Sequence, residues 1–349
     1  MYKKIIAILF GGCSTEYEVS LKSAYSVISN IDSTKYEVIM LGITKDGVWF
    51  RYYGDIDCIP RDSWHQEKEN CVPAIISPSK DVHGIIEFSK EIKITKVDMV
   101  FPLLHGKNGE DGTVQGLVEL AGIPMVGCGL LSSALCMDKD RSHKLVKLAG
   151  IKVPESIVVT KNTSAMSIIM ESEHLNYPLF VKPVRSGSSF GITKVSEKEH
   201  LLSAVEAAFI HDNTVIIEEN IDGFEVGCSI LGNEDLIIGE VDEIELSKGF
   251  FDYKEKYTLE SSKIHMPARV DAKTAERIKE TAVIIYKVLD CSGFARVDMF
   301  LTPEGEIVFN EVNTIPGFTS HSRYPNMLKG IGLSFNDIID KLIELGGEV

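Results

Sequence analysis

At 349 residues, with 44% hydrophobic and 25% charged side chains, the chain is long enough for two or three domains and has the make-up of a soluble globular protein. A net charge of −15 with no run of Lys and Arg argues against a nucleic-acid partner, so any polyphosphate must be met by a few placed cations and a metal. Seven scattered cysteines without CxxC pairs suggest neither a disulfide framework nor a zinc site and point to a reducing cytoplasm, and no stretch approaches the roughly 20 apolar residues of a membrane helix.

The start resembles a signal peptide only superficially, because its apolar run is short and ends in glycines without a cleavage site. Ile5 to Phe10 reads as a buried strand and Ser20 to Ile28 as a helix, the opening of a parallel α/β sheet. Ligands bind in loops at the carboxyl ends of such strands, and Glu16 in this loop is placed to hold a cationic group, although a lone acid more often caps or is solvated. Val38 to Ile43 predicts a second strand and Gly42 to Phe50 a turn and short hairpin, while residues 54–95 read as polar and irregular. Val97 to Leu104 is a third buried strand, followed by a loop carrying His105, Gly106, Gly109 and Gly112 and a helix from Val114 to Ala121. The glycines bring backbone amides close to a ligand at a helix N-terminus, which favours an anion, and His105 is either a ligand contact or a packing residue. Met137-Asp138-Lys139 is expected on one amphipathic helix that runs to Gly150 and stops at Val153-Pro154, where the first domain boundary falls.

Ser156 to Thr160 and Pro178 to Pro183 read as strands, with a helix over Ala165 to Ser172 between them. Lys182 on the second strand precedes the Ser- and Gly-rich loop 184–191, an arrangement suited to phosphate. A strand over Val215 to Asn220 ends in Glu218 and Glu219, and another begins at Gly223 with Glu225; such acids could bind a nucleoside or form a solvated connector. Strands over Val226 to Leu231 and Asp235 to Val241 lead into a polar excursion, Glu243 to His265, of the length used for an active-site lid. Helices are expected over Ala272 to Leu289 and Asn336 to Leu345. Between them, residues 292–317 read as two strands joined by a turn at Thr302 to Gly305. Period-two alternation of Val297, Met299 and Leu301 with Arg296, Asp298 and Phe300, continued by Ile307, Phe309, Glu311 and Asn313, brings Asp298 near Glu311 and Asn313. Two carboxylates and an amide oxygen without Cys or His suit Mg²⁺ shared with phosphate, and Arg296 offers a fork of donors to a phosphate or oxyanion.

Several segments together resemble one family. They are residues 11–20 (GGCSTEYEVS), 104–112 (LHGKNGEDG), 137–139 (MDK), 181–183 (VKP) with 187–189 (GSS), 252–257 (DYKEKY), 296–298 (RVD) and 310–319 (NEVNTIPGFT). In this order they resemble the D-alanine:D-alanine ligases of the ATP-grasp fold over essentially the whole chain. The resemblance implies an α/β (α+β) architecture in three domains: an N-terminal parallel α/β domain binding the first D-alanine (1–138), a central ATP-grasp subdomain (139–222) and a C-terminal one (223–349) with the lid at about 243–265. It also implies a cytoplasmic homodimer that uses ATP to phosphorylate one D-amino acid and lets a second nucleophile attack the acylphosphate. Lys139, Lys182 and Ser189 would hold ATP phosphates, and Glu218, Glu219, Ile221 and Glu225 would line the nucleoside site. Asp298, Glu311 and Asn313 would bind two Mg²⁺ ions, for which Mn²⁺ can substitute. Glu16 and His105 would position the first D-alanine, with Glu16 linked through Ser188 to Tyr257 on the lid. Arg296 and the Gly317 amide would stabilise the oxyanion, and Lys256 would meet the transferred phosphate. The absence of any Ser-His-Asp or Cys-His signature agrees with phosphoryl transfer, which needs positioning and charge neutralisation more than a covalent residue.

One departure bears on the second substrate. Where D-alanine:D-alanine ligases usually read Ser-Leu, this chain has Ser322-Arg323, replacing an apolar wall with a guanidinium able to bond a hydroxyl. The vancomycin-resistance D-alanine:D-serine ligases share this replacement, so D-serine is the expected second substrate and a modified peptidoglycan dipeptide the product. D-Lactate is disfavoured because the ligases that use it usually carry a His in place of the Lys256-Tyr257 pair. Phe251 and the Glu219-Asn220 pair are further departures. The alternatives are a housekeeping D-alanine:D-alanine ligase, with Arg323 pointing outward from the surface, and a catalytically silent nucleotide-binding regulatory protein. A dehydrogenase is excluded because no GxGxxG follows the first strand.

Overall fold

The computed structural model describes residues 3–187, 190–246 and 262–348. Strands β1 (Lys4–Gly11), β2 (Tyr36–Ile43), β3 (Trp49–Tyr52), β4 (Cys71–Ile76), β5 (Gly84–Phe88), β6 (Ile92–Lys96) and β7 (Met99–Pro102) form the first sheet, in the order β6-β5-β4-β3-β2-β1-β7. β1 runs parallel to β2 and β7, and its apolar residues are buried on both faces as such a central position requires. β2 to β6 continue as an antiparallel meander. Three of these strands fall almost wholly in 54–95, the segment read as irregular; β4 is interrupted by Pro73 and buries only Ala74 and Ile76, and β6 leaves its isoleucines exposed, so neither carries a continuous buried apolar run. At Gly11, where β1 turns into the loop, φ is +90° and a Cβ would sit 2.0 Å from the Ile43 carbonyl oxygen, so only glycine fits. Helices α1 (Tyr17–Asn30) and α2 (Thr113–Leu120) follow β1 and β7.

The helix expected through Met137 to Gly150 is two. α3 (Leu130–Met137) stops at Asp138, whose extended backbone and carboxylate, accepting from the Arg141 N–H at 3.1 Å, start α4 (Lys139–Leu148). A second sheet of β8 (Ser156–Thr160), β9 (Leu179–Pro183), β10 (Thr193–Val195) and β11 (Thr214–Glu219), ordered β10-β9-β11-β8, packs with α5 (Ala165–Ser172) and α6 (Leu201–Ala208). A third contains β12 (Phe224–Leu231), β13 (Ile237–Leu246), β14 (Ser262–His265), β15 (Phe294–Leu301) and β16 (Ile307–Asn313), ordered β14-β13-β12-β15-β16. β13 and β14 pair antiparallel, so both ends of the expected lid are strand, and its middle, 247–261, lies outside the described residues. α7 (Ala272–Val288) covers one face through Ile278, Ala282 and Ile285, packed with Val297, Met299 and Phe309. α4 joins that core through Val146, while α8 (Arg323–Gly330) and α9 (Phe335–Leu345) place Leu328, Ile338, Ile339 and Leu342 beside Ile6 and Ile8 of β1. Burying each such side chain contributes roughly 1.5–3 kcal/mol.

β15 and β16 pair antiparallel with Asp298 opposite Glu311 and Arg296 opposite Asn313, but the register shifts between Asp298 and Met299. Asn310 is the extra residue of a bulge. Phe309 therefore turns into the core with Val312 while Glu311 faces the opposite side, which the uninterrupted alternation did not foresee.

Candidate active site

The second and third sheets enclose a cleft of about 490 Å³. Lys182 reaches it from β9, Glu218 and Glu219 from β11, Ile221 from the connection to β12, Glu225 from β12, Lys139 from the start of α4 and Glu311 from β16. Phe180 and Phe300 supply apolar walls, and two residues absent from the sequence expectations, Glu243 and Arg269, stand on its rim, with Arg269 bonding Glu243 at 2.5 Å. A second cavity of about 30 Å³ shares Lys139 and Glu311 with the first and adds Glu16, Glu110, Gly187 and Asn313. The two are thus joined across one lysine and one carboxylate. An elongated ligand, anionic at its middle, fits this outline.

The cations of the cleft are held by acids. Lys182 Nζ donates to Glu218 Oε2 at 2.5 Å, and Lys139 Nζ donates to the Ser186 carbonyl at 2.7 Å and stands 3.7 Å from Glu311. Burial alone would raise the Glu218 carboxyl, but the nearby Lys182 charge holds it below its ordinary value. Arg296 makes a fork with Asp298, from Nε to Oδ1 at 2.8 Å and from Nη2 to Oδ2 at 2.7 Å, and Asn313 Nδ2 donates to Asp298 Oδ2 at 2.9 Å. Against its complete burial, the Arg296 and Arg323 charges keep the Asp298 carboxyl low. The Asp298 and Glu311 carboxylates face each other across adjacent strands with the Asn313 amide beside them, an oxygen donor set suited to a hard divalent cation once the cation replaces the Arg296 fork on Asp298.

Around Glu16 the backbone is close-packed. A Cβ at Gly106 would lie 2.5 Å from Glu16 Oε2 and one at Gly187 2.8 Å from it, so loops from the first and second sheets meet at this carboxylate. Ser188 and Ser189, like Lys256 and Tyr257, lie outside the described residues. His105 lines neither cavity: its ring is buried, with Nε2 3.2 Å from Ser23 Oγ, and burial pushes its pKa down against the Glu16 charge. Glu110, unnoticed as a site residue in the sequence, accepts from the Gly106 N–H at 2.8 Å and the Ile315 N–H at 3.0 Å. It ties the loop of His105 to the turn of Gly317, and burial pushes its carboxyl up to about 8. Gly317 itself packs against Ser322, whose Oγ accepts from the Thr319 N–H at 3.0 Å.

Arg323 is only 8% exposed, which removes the outward-pointing alternative. Its guanidinium bonds both oxygens of Asp242 at 2.7 Å and Glu225 Oε1 at 2.8 Å, and comes within 3.4 Å of Asp298. Glu225, expected against a nucleoside or in a solvated connector, is thus the partner of Arg323. Gly227 makes the space, since a Cβ there would lie 2.4 Å from Arg323 Nη2. Neither Asp242 nor Gly227 carried any signal in the sequence.

Residues 5–128 match the family model described as D-ala D-ala ligase N-terminus, and residues 145–344 the one described as D-ala D-ala ligase C-terminus. The chain belongs to the D-alanine:D-alanine ligase family. The ligase is 47% identical to the vancomycin B-type resistance protein VanB of Enterococcus faecalis, over all of both chains, and 45% identical to a D-alanine–D-alanine ligase of Caldicellulosiruptor bescii, over 100% of this chain and 96% of that one. Among solved structures it matches the VanG D-Ala:D-Ser ligase from Enterococcus faecalis with 61% identity and a TM-score of 0.93, covering 99% of this chain and 100% of that one. The ligase therefore has the ATP-grasp fold and the ATP-dependent chemistry of its family, and its relatives include vancomycin-resistance proteins. Among its described residues no helix is long and apolar enough to cross a membrane.

Proposed function

We propose that this ligase joins D-alanine to D-serine through a D-alanyl phosphate, producing a modified peptidoglycan precursor of the kind linked to vancomycin resistance. The observation that carries the reading is the placement of Arg323. Its guanidinium is buried behind the cavities beside Asp298, with Nε and Nη2 on Asp242 and Nη1 on Glu225, so it is oriented before any substrate arrives and offers a hydroxyl only its remaining N–H groups. A pocket built to bond a hydroxyl discriminates strongly against an analogue lacking one, which favours D-serine over D-alanine. The solved VanG D-Ala:D-Ser ligase at 61% identity supports the same reading.

In this proposal residues 1–138, 139–222 and 223–349 are the three units, and the cleft between the last two takes ATP. Lys139 and Lys182 hold its phosphates, and Asp298, Glu311 and Asn313 hold Mg²⁺, which when bound neutralises charge on the phosphate oxygens. Glu16 and His105 position the first D-alanine, Glu16 by direct contact and His105 from behind. One oxygen of its carboxylate attacks the γ-phosphorus and ADP leaves; the amine of D-serine, having lost a proton, then attacks the acyl carbon and phosphate leaves. Arg296 and the Gly317 amide stabilise the oxyanion of that second step. Ser188, Lys256 and Tyr257 would complete the site from segments outside the described residues.

A second reading, D-alanine in both positions, is supported by the Caldicellulosiruptor bescii relative. The deciding experiment measures ADP release with Mg²⁺ and D-alanine, alone and with equimolar D-serine, followed by mass analysis of the dipeptides. Predominant D-alanyl-D-serine is expected. D-alanyl-D-alanine alone would overturn the choice of second substrate, and ADP release independent of amino acids would overturn the ligase reading altogether.

A further inference from the structure

His143 lies one turn after Lys139 on the buried face of α4 and touches neither cavity. Its Nε2 is 2.9 Å from the Asn310 carbonyl oxygen; a carbonyl only accepts, so Nε2 carries the hydrogen and Nδ1 of the neutral ring presents a lone pair. Burial pushes the imidazole pKa down and agrees with the neutral form. Nδ1 stands 3.7 Å from Glu218 Oε1, and neither buried atom has a hydrogen-bond partner among the described residues. Packing does not require a histidine here, since the ring meets Phe309 edge-on at 5.4 Å, a contact any planar apolar side chain could make. What the imidazole adds is a lone pair on one side and a hydrogen bond on the other. One leads to Glu218 and Lys182, and the other to the bulge residue next to Glu311.

We infer that His143 is a positioning residue that couples the Lys182–Glu218 pair of the nucleotide site to the metal-presenting strand β16. Through Nε2–H it fixes the carbonyl of the bulge that turns Glu311 toward the cleft. Its Nδ1 lone pair and the Glu218 carboxylate are two acceptors that repel, which keeps Glu218 directed at Lys182 until nucleotide phosphates draw that lysine away. The imidazole thereby sets the distance between phosphate site and carboxylate strand, so nucleotide and Mg²⁺ bind cooperatively. The inference rests on the nucleotide reading of the cleft.

The test is calorimetric binding of ADP, with and without Mg²⁺, to the wild-type ligase and to His143→Leu and His143→Gln, with KM for ATP and kcat measured alongside. Partners in the outer shell of a metal site typically change affinity by about 10–100-fold, so His143→Leu should weaken ADP binding about 10-fold or more with Mg²⁺ and much less without it. KM for ATP should rise more than kcat falls. His143→Gln keeps an N–H able to reach the Asn310 carbonyl and should retain most of the Mg²⁺-dependent gain. Wild-type affinity in His143→Leu, equal losses with and without Mg²⁺, or a Gln variant that loses the gain while melting normally would each overturn the coupling. Should the Leu variant show no cooperative melt, the Gln variant decides alone. A wild-type protein that binds no ADP would instead sink the nucleotide reading.

Discussion

Arg323→Leu tests both the buried charge network and the substrate assignment that rests on it. Asp242 is fully buried and bonds the guanidinium through both oxygens at 2.7 Å, while Glu225 adds a third bond at 2.8 Å. Removing the arginine leaves these acids without their counter-charge, and breaking a buried pair from one side costs about 3–5 kcal/mol. With roughly 2–4 °C of melting temperature lost per kcal/mol in domains of comparable size, a fall on the order of 10 °C is expected. Pairing the change with Asp242→Leu removes both charges and should recover most of the loss, because apolar replacement of a whole buried pair is often neutral. Thermal unfolding of the wild type, both single variants and the double variant closes a cycle whose interaction energy reads the pair directly. A loss below about 1 kcal/mol for Arg323→Leu, typical of an exposed ion pair, would refute the buried network. In the same variant the ratio of D-alanyl-D-serine to D-alanyl-D-alanine should fall, and an unchanged ratio would remove Arg323 from the specificity argument.

Two further outcomes follow from the geometry. Burial chiefly, and the Glu16 charge second, raise the Glu110 carboxyl from its ordinary 4.5 to about 8, so between these values the folded state holds a proton the unfolded chain has released. Its stabilising contribution is therefore complete below about pH 4.5 and lost as pH rises through about 8. Glu110→Gln should flatten that part of the melting-temperature profile, and an identical slope in both proteins would show that another group causes it. Gly227→Ala places a Cβ 2.4 Å from Arg323 Nη2 and 2.7 Å from Asp242 Oδ1, an overpacking worth about 1–3 kcal/mol. The expected result is an earlier melt together with weakened preference for D-serine; normal melting and selectivity would show that the guanidinium is not where it is described.

Much of the site was legible because its chemistry is local. Lys182 beside a small-residue loop, and Asp298 with Glu311 on neighbouring strands, follow from residue type and strand period; the structure brings Lys182 and Glu311 to one cleft and places Asp298 opposite Glu311, buried behind it. The bulge at Asn310 was not legible, since nothing in the run from Ile307 to Asn313 separates an uninterrupted alternation from one with an extra residue. The break at Asp138 had a signal that was passed over, an acid three residues before Arg141 at the point where a helix can restart. β4 to β6 were missed because an antiparallel meander at the side of a sheet does not need a continuous apolar run. Asp242, Gly227, Glu110 and His143 act through partners far away in the chain, as in the 81 residues between Asp242 and Arg323, and no spacing rule reaches that far.

The docking of α9 against α1 has a consequence for biosynthesis. Ile338, Ile339, Leu342 and Ile343 share a core with Ile6, Ile8 and Phe10, and Lys35 meets Asp340 at 2.6 Å across the same seam. The segment 335–345 that completes this core therefore leaves the ribosome long after β1 and α1 do. A nascent chain halted after the first sheet would have β1 covered by α1 but the outer side of that core open to chaperones and to self-association. Folding around the first sheet is in this sense completed by a segment made much later, and moving residues 335–345 ahead of β1 in the chain would turn that late contact into an early one.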